Sequence, residues 1–232
     1  MSEQKDHRGE EAERDVASEV GSLPSEDRCT NQPEKADSDC RKQRLSQDAI
    51  INDLPSPFVV EWVPRAAALI DRTPRRALDC AIGRGRHAPL LARAGFVTFG
   101  VDVNLNAVLD AVARAREDGL IVRGWCADLT TGRLPSAAFD LVVVTRYLQR
   151  DLFPSIRGAL RLGAPGRPGG VVIYETFTVN QRRHGWGPTS PDHLLEPNEL
   201  PHHFADFEVL FYEEVEAPEA VARIVARRTS SS

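Results

Sequence analysis

The chain has 232 residues, of which 41% are hydrophobic and 27% charged, and its formal net charge is -5. This size and hydrophobicity suit one globular domain with a substantial core. The acidic balance excludes a global basic field for nucleic acid or for an anionic membrane surface. No apolar run approaches the roughly 18 residues that a membrane-spanning helix needs. The first residues are too acidic for a secretory or transit peptide, so we expect a soluble, cytoplasmic protein.

The four cysteines are scattered along the chain, and they form neither a C-x-x-C pair nor a His/Cys spacing typical of metal ligands. Cys80 and Cys126 fall in predicted strands, whereas Cys29 and Cys40 fall in a polar segment. This pattern indicates a reducing compartment and predicts no metal site. Cys80 is expected to lie in the core.

Residues 1–45 are dominated by Glu, Asp, Ser, Lys and Arg, with few large apolar side chains. Such a segment cannot bury enough apolar surface to offset the entropy lost on ordering. We therefore predict a disordered polar tail over 1–45 and one folded domain over 46–232.

Beyond the tail, a helix is predicted near 58–70, and then short apolar runs alternate with helical patterns. Strands are predicted at 76–82, 97–103, 120–127, 139–147 and 169–177, with helices near 86–94, 106–118, 153–163 and 197–205. The last two strands, 207–216 and 222–228, are too close for an intervening helix and should pair antiparallel. The alternation predicts an α/β fold with a doubly wound, mostly parallel sheet and helices on both faces.

The most informative segment is LDCAIGRGRHAPLLA, in which Gly83 and Gly85 lie between a predicted strand and a predicted helix. Glycines at such a turn allow the backbone to approach a ligand where a Cβ would be in the way. The helix start offers free N–H groups to a phosphate or carboxylate. With Ala88 the segment reads G-x-G-x-x-A, a nucleotide-binding pattern that is weak by itself.

Two carboxylates strengthen this interpretation. Asp102 ends the second predicted strand, where it can accept both ribose hydroxyls, and Asp128 follows the third, where a side chain commonly meets an adenine amine. Ligands of open α/β sheets bind outside the carboxyl ends of the strands, so these residues should cluster with the glycine turn. The alternatives are a helix N-cap at Asp102, beside Asn104, and an ordinary loop or cap residue at Asp128.

The motif D-C-A-I-G-R-G-R-H resembles the first motif of class I S-adenosylmethionine-dependent methyltransferases, D-x-G-x-G-x-G, with Ala81 in place of the first glycine. Further segments resemble the tellurite-resistance-type branch of that family, over roughly residues 50–228. These segments are PSPFVVEW, GRGRHA, FDLVVVTRYLQRDLFP, YETFT and GPTSPDHLLEPNEL. The resemblance implies a Rossmann-like, seven-stranded sheet with an antiparallel last strand, and methyl transfer from S-adenosylmethionine.

The resemblance also implies roles for individual residues. Asp79 and the Gly83–Gly85 turn would hold the methionine end of the cofactor, Asp102 the ribose, and Asp128 with its neighbours the adenine. Arg146 would lie between cofactor and substrate. The complete predicted cofactor set is Asp79, Ala81, Gly83, Gly85, Asp102, Val103, Asp128, Leu129 and Arg146.

Methyl transfer needs alignment and exclusion of water, but no metal, and it needs a general base only if the acceptor arrives protonated. The catalytic candidates are Arg146, Tyr147 and Glu175, after the fourth strand and at the end of the fifth. For each the structural alternative stays open: a surface salt bridge, packing under a loop, and a paired carboxylate, respectively. Further polar candidates at this edge are Arg150, Thr176, Gln181 and His193.

Two other features carry open alternatives. The long connection 178–198 contains a basic and aromatic cluster, Arg182 to Trp186, and is either a lid or binding loop or, with weaker support, a contact for phosphate or nucleic acid. His87 either touches the cofactor or caps and packs at the first helix. His202 and His203 lack a metal-ligand spacing.

We therefore expect a methyltransferase that uses S-adenosylmethionine and acts on a small-molecule acceptor such as a chalcogen oxyanion or a thiol, without nucleic acid or membrane partners. One alternative is a nicotinamide-dependent oxidoreductase using Asp102, although this leaves Asp128 unexplained and the chain lacks a Tyr-x-x-x-Lys pair. The other is a non-catalytic cofactor-binding protein that interacts through its acidic tail. No oligomeric state is predicted.

Overall fold

The computed structural model of the protein describes residues 53–230. The predicted polar tail over 1–45, with Cys29 and Cys40, lies outside the described residues. Within them the strands are β1 Arg76–Cys80, β2 Val97–Asp102, β3 Val122–Cys126, β4 Leu141–Thr145, β5 Val171–Phe177, β6 Glu208–Val215 and β7 Val221–Arg227. The α-helices are α1 Pro57–Leu69, α2 Ala88–Arg93, α3 Leu105–Glu117, α4 Phe153–Ala159 and α5 Glu199–His203.

The strands form one seven-stranded sheet in the order β3-β2-β1-β4-β5-β7-β6. Strands β1 to β5 pair in parallel, and β7 is antiparallel to both β5 and β6. The predicted α/β fold with an antiparallel last strand is confirmed. From β1 the chain adds β2 and then β3 on one side of β1, and it then returns to place β4 on the other side. The strand order therefore reverses between β1 and β4.

The centre of the sheet is buried on both faces because helices cover both sides. Alternate residues of β4 belong to two different cores: Val142 and Val144 pack on one face, and Leu141 and Val143 on the other. This explains the nearly unbroken apolar run, which is the expected pattern for a covered parallel strand. Cys80 is buried as predicted, and burial raises the pKa of its thiol.

Helix α3 is capped at its start and packs on the sheet along one face. At its start, Asn104 Oδ1 accepts from the backbone N–H groups of Asn106 and Ala107, at 3.0 and 3.3 Å, as expected of an N-cap. Val108, Ala111 and Ala115 form its buried stripe at helical spacing. The helix therefore packs closely over the turn that follows β1.

The described helices include none that is long and apolar enough to cross a membrane. Residues 53–230 also contain no group of three or more His, Cys, Asp or Glu side chains arranged to hold a metal ion.

Candidate functional site

The turn after β1 has an unusual backbone. Ala81, Gly83 and Gly85 all have positive φ angles, of 57°, 52° and 79°. Glycine adopts this left-handed region without steric cost, whereas an L-residue with a Cβ pays about 1–2 kcal/mol. Alanine in place of the motif's first glycine at position 81 therefore costs backbone conformational energy, and it also differs in size. The motif comparison considered only the size.

The structure gives each glycine a requirement within the protein itself. A Cβ at Gly85 would lie 2.6 Å from the Cβ of Ala111 in α3, so this position is small because a helix packs against it. A Cβ at Gly83 would meet nothing within 4 Å, and the requirement there is the positive φ. The expectation that a Cβ in this turn would obstruct a ligand stays a prediction.

Asp102 ties the turn to the end of β2. Its Oδ2 accepts from the Gly83 N–H at 2.9 Å, and its Oδ1 accepts from the Asn104 N–H at 2.9 Å. The N-cap of α3 is Asn104, so the N-cap alternative for Asp102 is wrong. Each carboxylate oxygen has a second lone pair, so Asp102 can still accept hydroxyl donors from a ligand.

Asp79, near the end of β1, is a buried carboxyl. It is 1% exposed, and its Oδ2 has no hydrogen-bond partner within the described part of the chain. Burial raises its pKa to about 8, and the Arg86 guanidinium opposes the shift only partly. A buried polar atom without a partner is rare in native proteins and indicates a functional or ligand-related role.

A cavity of about 330 Å³ opens at the carboxyl ends of β1 and β4, where the strand order reverses. This is the position at which open α/β sheets bind their ligands. Its lining residues are Asp53, Ala81, Ile82, Gly83, Arg84, Arg86, His87, Thr145 and Arg146. A larger cavity of about 510 Å³ lies between α1 and α2, but none of the predicted site residues lines it.

Arg146 reaches this cavity as the first residue after β4. It has a φ of 53°, and its N–H donates to the Glu175 carbonyl oxygen at 2.8 Å. Its guanidinium Nη2 donates to both carboxylate oxygens of Glu219 at 3.0 Å and lies over the ring of Phe177. Glu219 belongs to the β6–β7 turn, so the terminal hairpin holds Arg146 at the cavity wall.

The other two catalytic candidates have structural contacts. The Tyr147 side chain packs against the core, its carbonyl oxygen accepts from the Tyr174 hydroxyl at 2.8 Å, and burial raises its pKa. Glu175 lies within β5 instead of at its end, and its Oε2 accepts from Arg223 Nε at 2.6 Å. Neither residue lines the cavity, so the structure favours packing for Tyr147 and a paired carboxylate for Glu175.

The predicted adenine region lies at the ends of β2 and β3, which pair at Asp102 and Cys126. Asp128 is exposed, and its Oδ1 accepts from the Thr130 hydroxyl at 2.7 Å and from the Thr130 N–H at 2.8 Å. These two bonds lower its pKa. Val103 is 65% exposed and Leu129 is buried, so the region presents an apolar edge beside two carboxylates without being enclosed.

His87, for which the sequence left two alternatives open, packs and also lines the cavity. It is 2% exposed, its Nε2 accepts from the Ser56 N–H at 3.0 Å, and its Nδ1 lies 3.4 Å from Thr145 Oγ1. Burial, reinforced by Arg86, lowers its pKa to about 3. Arg86 and Thr145 are cavity residues that sequence reasoning did not select, although Arg86 stands within the GRGRH motif.

The connection after β5 is folded against the rest of the domain. It contains the 3-10 turns Val179–His184 and Pro191–His193, so part of this connection has secondary structure of its own. Gln181 accepts from the Ala220 N–H at 2.7 Å, and Arg150 pairs with Glu199 at 2.7 Å. Arg150, Thr176, Gln181 and His193 do not line the 330 Å³ cavity.

Comparison with known proteins finds similarity to methyltransferases. Residues 77–166 match the family model described as a methyltransferase domain. Uncharacterised methyltransferases of Mycobacterium tuberculosis strain H37Rv and Mycobacterium bovis are each 35% identical over 115 residues, which is 49% of this chain and 56% of theirs. The match therefore spans little more than half the length of these curated relatives.

Solved structures share the fold at low sequence identity. A S-adenosylmethionine-dependent methyltransferase from Clostridium acetobutylicum aligns with a TM-score of 0.62 and 13% identity, over 82% of this chain and 98% of that one. TehB from Haemophilus influenzae aligns with a TM-score of 0.55 and 20% identity, over 72% of this chain and 61% of that one. The resemblance read from the motifs is thus confirmed: residues 77–166 match a methyltransferase domain, carried on the fold of S-adenosylmethionine-dependent methyltransferases.

Proposed function

We propose that the protein transfers a methyl group from S-adenosylmethionine to a small-molecule acceptor. The observation that carries the proposal is the left-handed turn Ala81–Gly85, which Asp102 ties to β2 at the point where the strand order reverses. The methyltransferase-domain match covers this turn together with Asp102, Asp128 and Arg146.

The residues at the turn fit the proposed cofactor chemically. Asp79 has a buried oxygen without a partner within residues 53–230, and a cationic amino group beside it would supply one. Asp102 would accept ribose hydroxyls, and Asp128 with the exposed Val103 would flank the adenine. Ala81, Ile82 and Gly83 line the cavity itself.

When bound, the cofactor would supply an activated methyl group for in-line displacement by the acceptor's lone pair. The protein's contribution is to hold the acceptor in line and to exclude water. Arg146, held by Glu219 and Phe177 at the cavity wall, would orient the acceptor.

The charge around the cavity supports an anionic acceptor. Its described lining residues include three guanidinium groups, those of Arg84, Arg86 and Arg146, and one carboxylate, that of Asp53. Asp53 lies 3.6 Å from Arg84 and 3.4 Å from Arg114, and Arg146 pairs with Glu219, so the cavity charge that no carboxylate of residues 53–230 pairs is that of Arg86. A chalcogen oxyanion or a thiolate fits this balance.

The nicotinamide alternative loses support because dinucleotide-binding folds of the 3-2-1-4-5-6 order lack an inserted antiparallel strand. Here β7 is inserted antiparallel between β5 and β6. A non-catalytic binding protein would share the same cofactor contacts, and only turnover separates it from an enzyme.

Calorimetric titration of the full chain with S-adenosylhomocysteine and with NAD separates these readings. We expect S-adenosylhomocysteine to bind and NAD not to bind; the reverse preference would overturn the proposal. Asp102→Ala should weaken S-adenosylhomocysteine binding by about 1.5–3 kcal/mol, because charge-assisted hydrogen bonds are lost. Asp118→Ala, at the exposed end of α3, is the matched control and should leave the affinity unchanged.

Turnover is tested with S-adenosylmethionine labelled in its methyl group. Labelled methyl should appear on selenite, tellurite or a small thiol in the presence of the wild-type protein. Binding of S-adenosylhomocysteine without transfer to any pool of small-molecule acceptors would favour the non-catalytic alternative.

A further inference from the structure

Arg86 is a partly buried arginine in the wall of the cavity, and within residues 53–230 it forms no ion pair with a carboxylate. Its Nη2 donates to Thr145 Oγ1 at 3.3 Å, and its Nη1 donates to the Leu54 carbonyl oxygen at 3.5 Å. Arginine stays protonated in proteins and carries five N–H donors, so donors of Arg86 are left for another partner.

The carboxyl groups that interact electrostatically with Arg86 do not neutralise its charge. Its electrostatic neighbours include Glu175, Glu219 and Asp79. Glu175 is paired with Arg223 at 2.6 Å, and Glu219 is paired with Arg146 at 3.0 Å. Asp79 is buried with its pKa raised to about 8, so it is mostly neutral at pH 7. The positive charge of Arg86 therefore faces the cavity largely uncompensated.

The hydrogen bonds of His87 fix the direction of the Thr145 hydroxyl. Because His87 Nε2 accepts from the Ser56 N–H, the proton of the neutral imidazole is on Nδ1. Nδ1 then donates to Thr145 Oγ1, which also accepts from Arg86. Both lone pairs of the hydroxyl oxygen are occupied, so its own O–H is a donor, and Thr145 lines the cavity.

We infer that Arg86 and Thr145 form a binding site for one anionic oxygen group, a carboxylate or an oxyanion, with Ser56 and His87 positioning the Thr145 hydroxyl. A guanidinium fork beside a hydroxyl donor is suited to such a group. The inference gives the ligand chemistry of the cavity and rests on the proposed function. Two sources share this chemistry: the carboxylate at the methionine end of the cofactor, and an oxyanion acceptor.

The test uses the full chain and calorimetric titration with three probes: S-adenosylhomocysteine, 5′-methylthioadenosine, which lacks the amino-acid end, and sulfate as an inert oxyanion. Arg86→Gln is compared with Arg93→Gln, a matched loss of charge outside this cavity, at a side chain at the end of α2 that is 59% exposed. Arg86→Gln should weaken one anionic probe by about 10- to 100-fold, as expected for loss of a charge-assisted hydrogen bond, whereas Arg93→Gln should change it by less than about threefold.

The pattern across probes identifies the source. Weaker S-adenosylhomocysteine binding with unchanged 5′-methylthioadenosine binding assigns the site to the cofactor carboxylate. Unchanged S-adenosylhomocysteine binding with loss of sulfate binding assigns it to the acceptor. If Arg86→Gln behaves like Arg93→Gln with every probe, the inference is wrong. If the wild type binds neither adenosine probe, the proposed function fails, while sulfate still tests the anion site; absence of all binding overturns both.

A second pair of variants covers the case in which Arg86→Gln does not fold. Thr145→Val removes the hydroxyl donor, and Thr145→Ser retains it. Affinity for the same anionic probe should fall about 5- to 20-fold in Thr145→Val and recover in Thr145→Ser. Equal affinity of the two variants would contradict the role of the hydroxyl.

Discussion

The buried carboxyl of Asp79 makes the stability of the domain depend on pH. Its pKa is raised from 3.8 to about 8 by burial. Between these values the folded protein holds a proton that the unfolded chain releases, so the free energy of unfolding decreases as pH rises. This contribution is fully present below pH 3.8 and is lost as pH rises through 8.

The magnitude follows from the two pKa values. Each unit of difference corresponds to about 1.36 kcal/mol. Between pH 6 and pH 8 the unfolded carboxyl is already ionised, whereas the folded one goes from protonated to half ionised. The free energy of unfolding should therefore fall by about 2 kcal/mol over this interval through Asp79 alone.

Asp79→Asn removes this proton linkage while keeping the size of the side chain. We expect the wild type, relative to the variant, to lose about 2 kcal/mol of unfolding free energy between pH 6 and pH 8. The variant itself should be less stable than the wild type at pH 6 by about 1–3 kcal/mol, because a buried amide donor gains no partner. Urea unfolding at both pH values and constant ionic strength measures these differences.

Comparison with the wild type cancels the contributions of histidines and other groups that titrate in the same interval. Asp118→Asn, an exposed carboxylate at the end of α3, controls for a simple loss of negative charge and should show the wild-type pH dependence. If Asp79→Asn also shows the wild-type pH dependence, the carboxyl is ionised in the folded protein and the reasoning is wrong.

Four further substitutions test the site through stability measured by urea unfolding. The pKa of His87 is lowered to about 3 in the folded protein, so its contribution to stability is present above pH 6.5 and is lost as pH falls. His87→Gln should therefore reduce the loss of unfolding free energy between pH 6.5 and pH 4 by about 3 kcal/mol. Equal acid sensitivity of variant and wild type would contradict a buried neutral imidazole. Ala81→Gly should raise the free energy of unfolding by up to about 1 kcal/mol, because relief of the left-handed backbone outweighs the added chain entropy; a destabilised variant would count against strain at Ala81. Gly85→Ala should lower the free energy of unfolding by about 2–4 kcal/mol, since it adds a clash with Ala111 to the cost of a positive φ. Gly83→Ala should lower it by only about 1–2 kcal/mol, because the new Cβ meets no atom. Equal losses would show that α3 moves away to relieve the clash.

The fold was largely predictable because its signals are local and repeated. The apolar runs of β4 and β5 required cover on both faces, and the short link between β6 and β7 left no room for a crossover. The strand ends were less predictable, and β4 and β3 are shorter than their apolar patterns. Side-chain hydrophobicity continues beyond the last ladder hydrogen bond, so it does not mark where a strand stops.

The site was predictable where a residue type is tied to a strand end, as for Asp102 and the glycine turn. It was not predictable where the partner comes from a distant part of the chain. Arg223, which pairs with Glu175, lies 48 positions away, and Glu219, which pairs with Arg146, lies 73 positions away. No local pattern indicates such pairs.

The roles of Arg86 and Thr145 needed the hydrogen-bond network for the same reason. Thr145 is an ordinary β-branched residue at the end of an apolar strand, and its importance depends on His87 and on the backbone of Ser56, 31 positions before His87. The sequence did carry a signal at Arg86, since a second arginine in the glycine turn places its charge at the start of a helix. The motif could not show, however, that Arg86 has no carboxylate partner in the described residues.

A crystal structure of the full chain with S-adenosylhomocysteine tests the central claim most directly. The ligand should lie at the carboxyl ends of β1, β2 and β4, with its ribose hydroxyls on Asp102 and its amino-acid end against Ala81 to Gly83 and Asp79. Density for the ligand elsewhere, such as in the larger cavity between α1 and α2, or crystals that take up NAD at this turn but no S-adenosylhomocysteine, would contradict it.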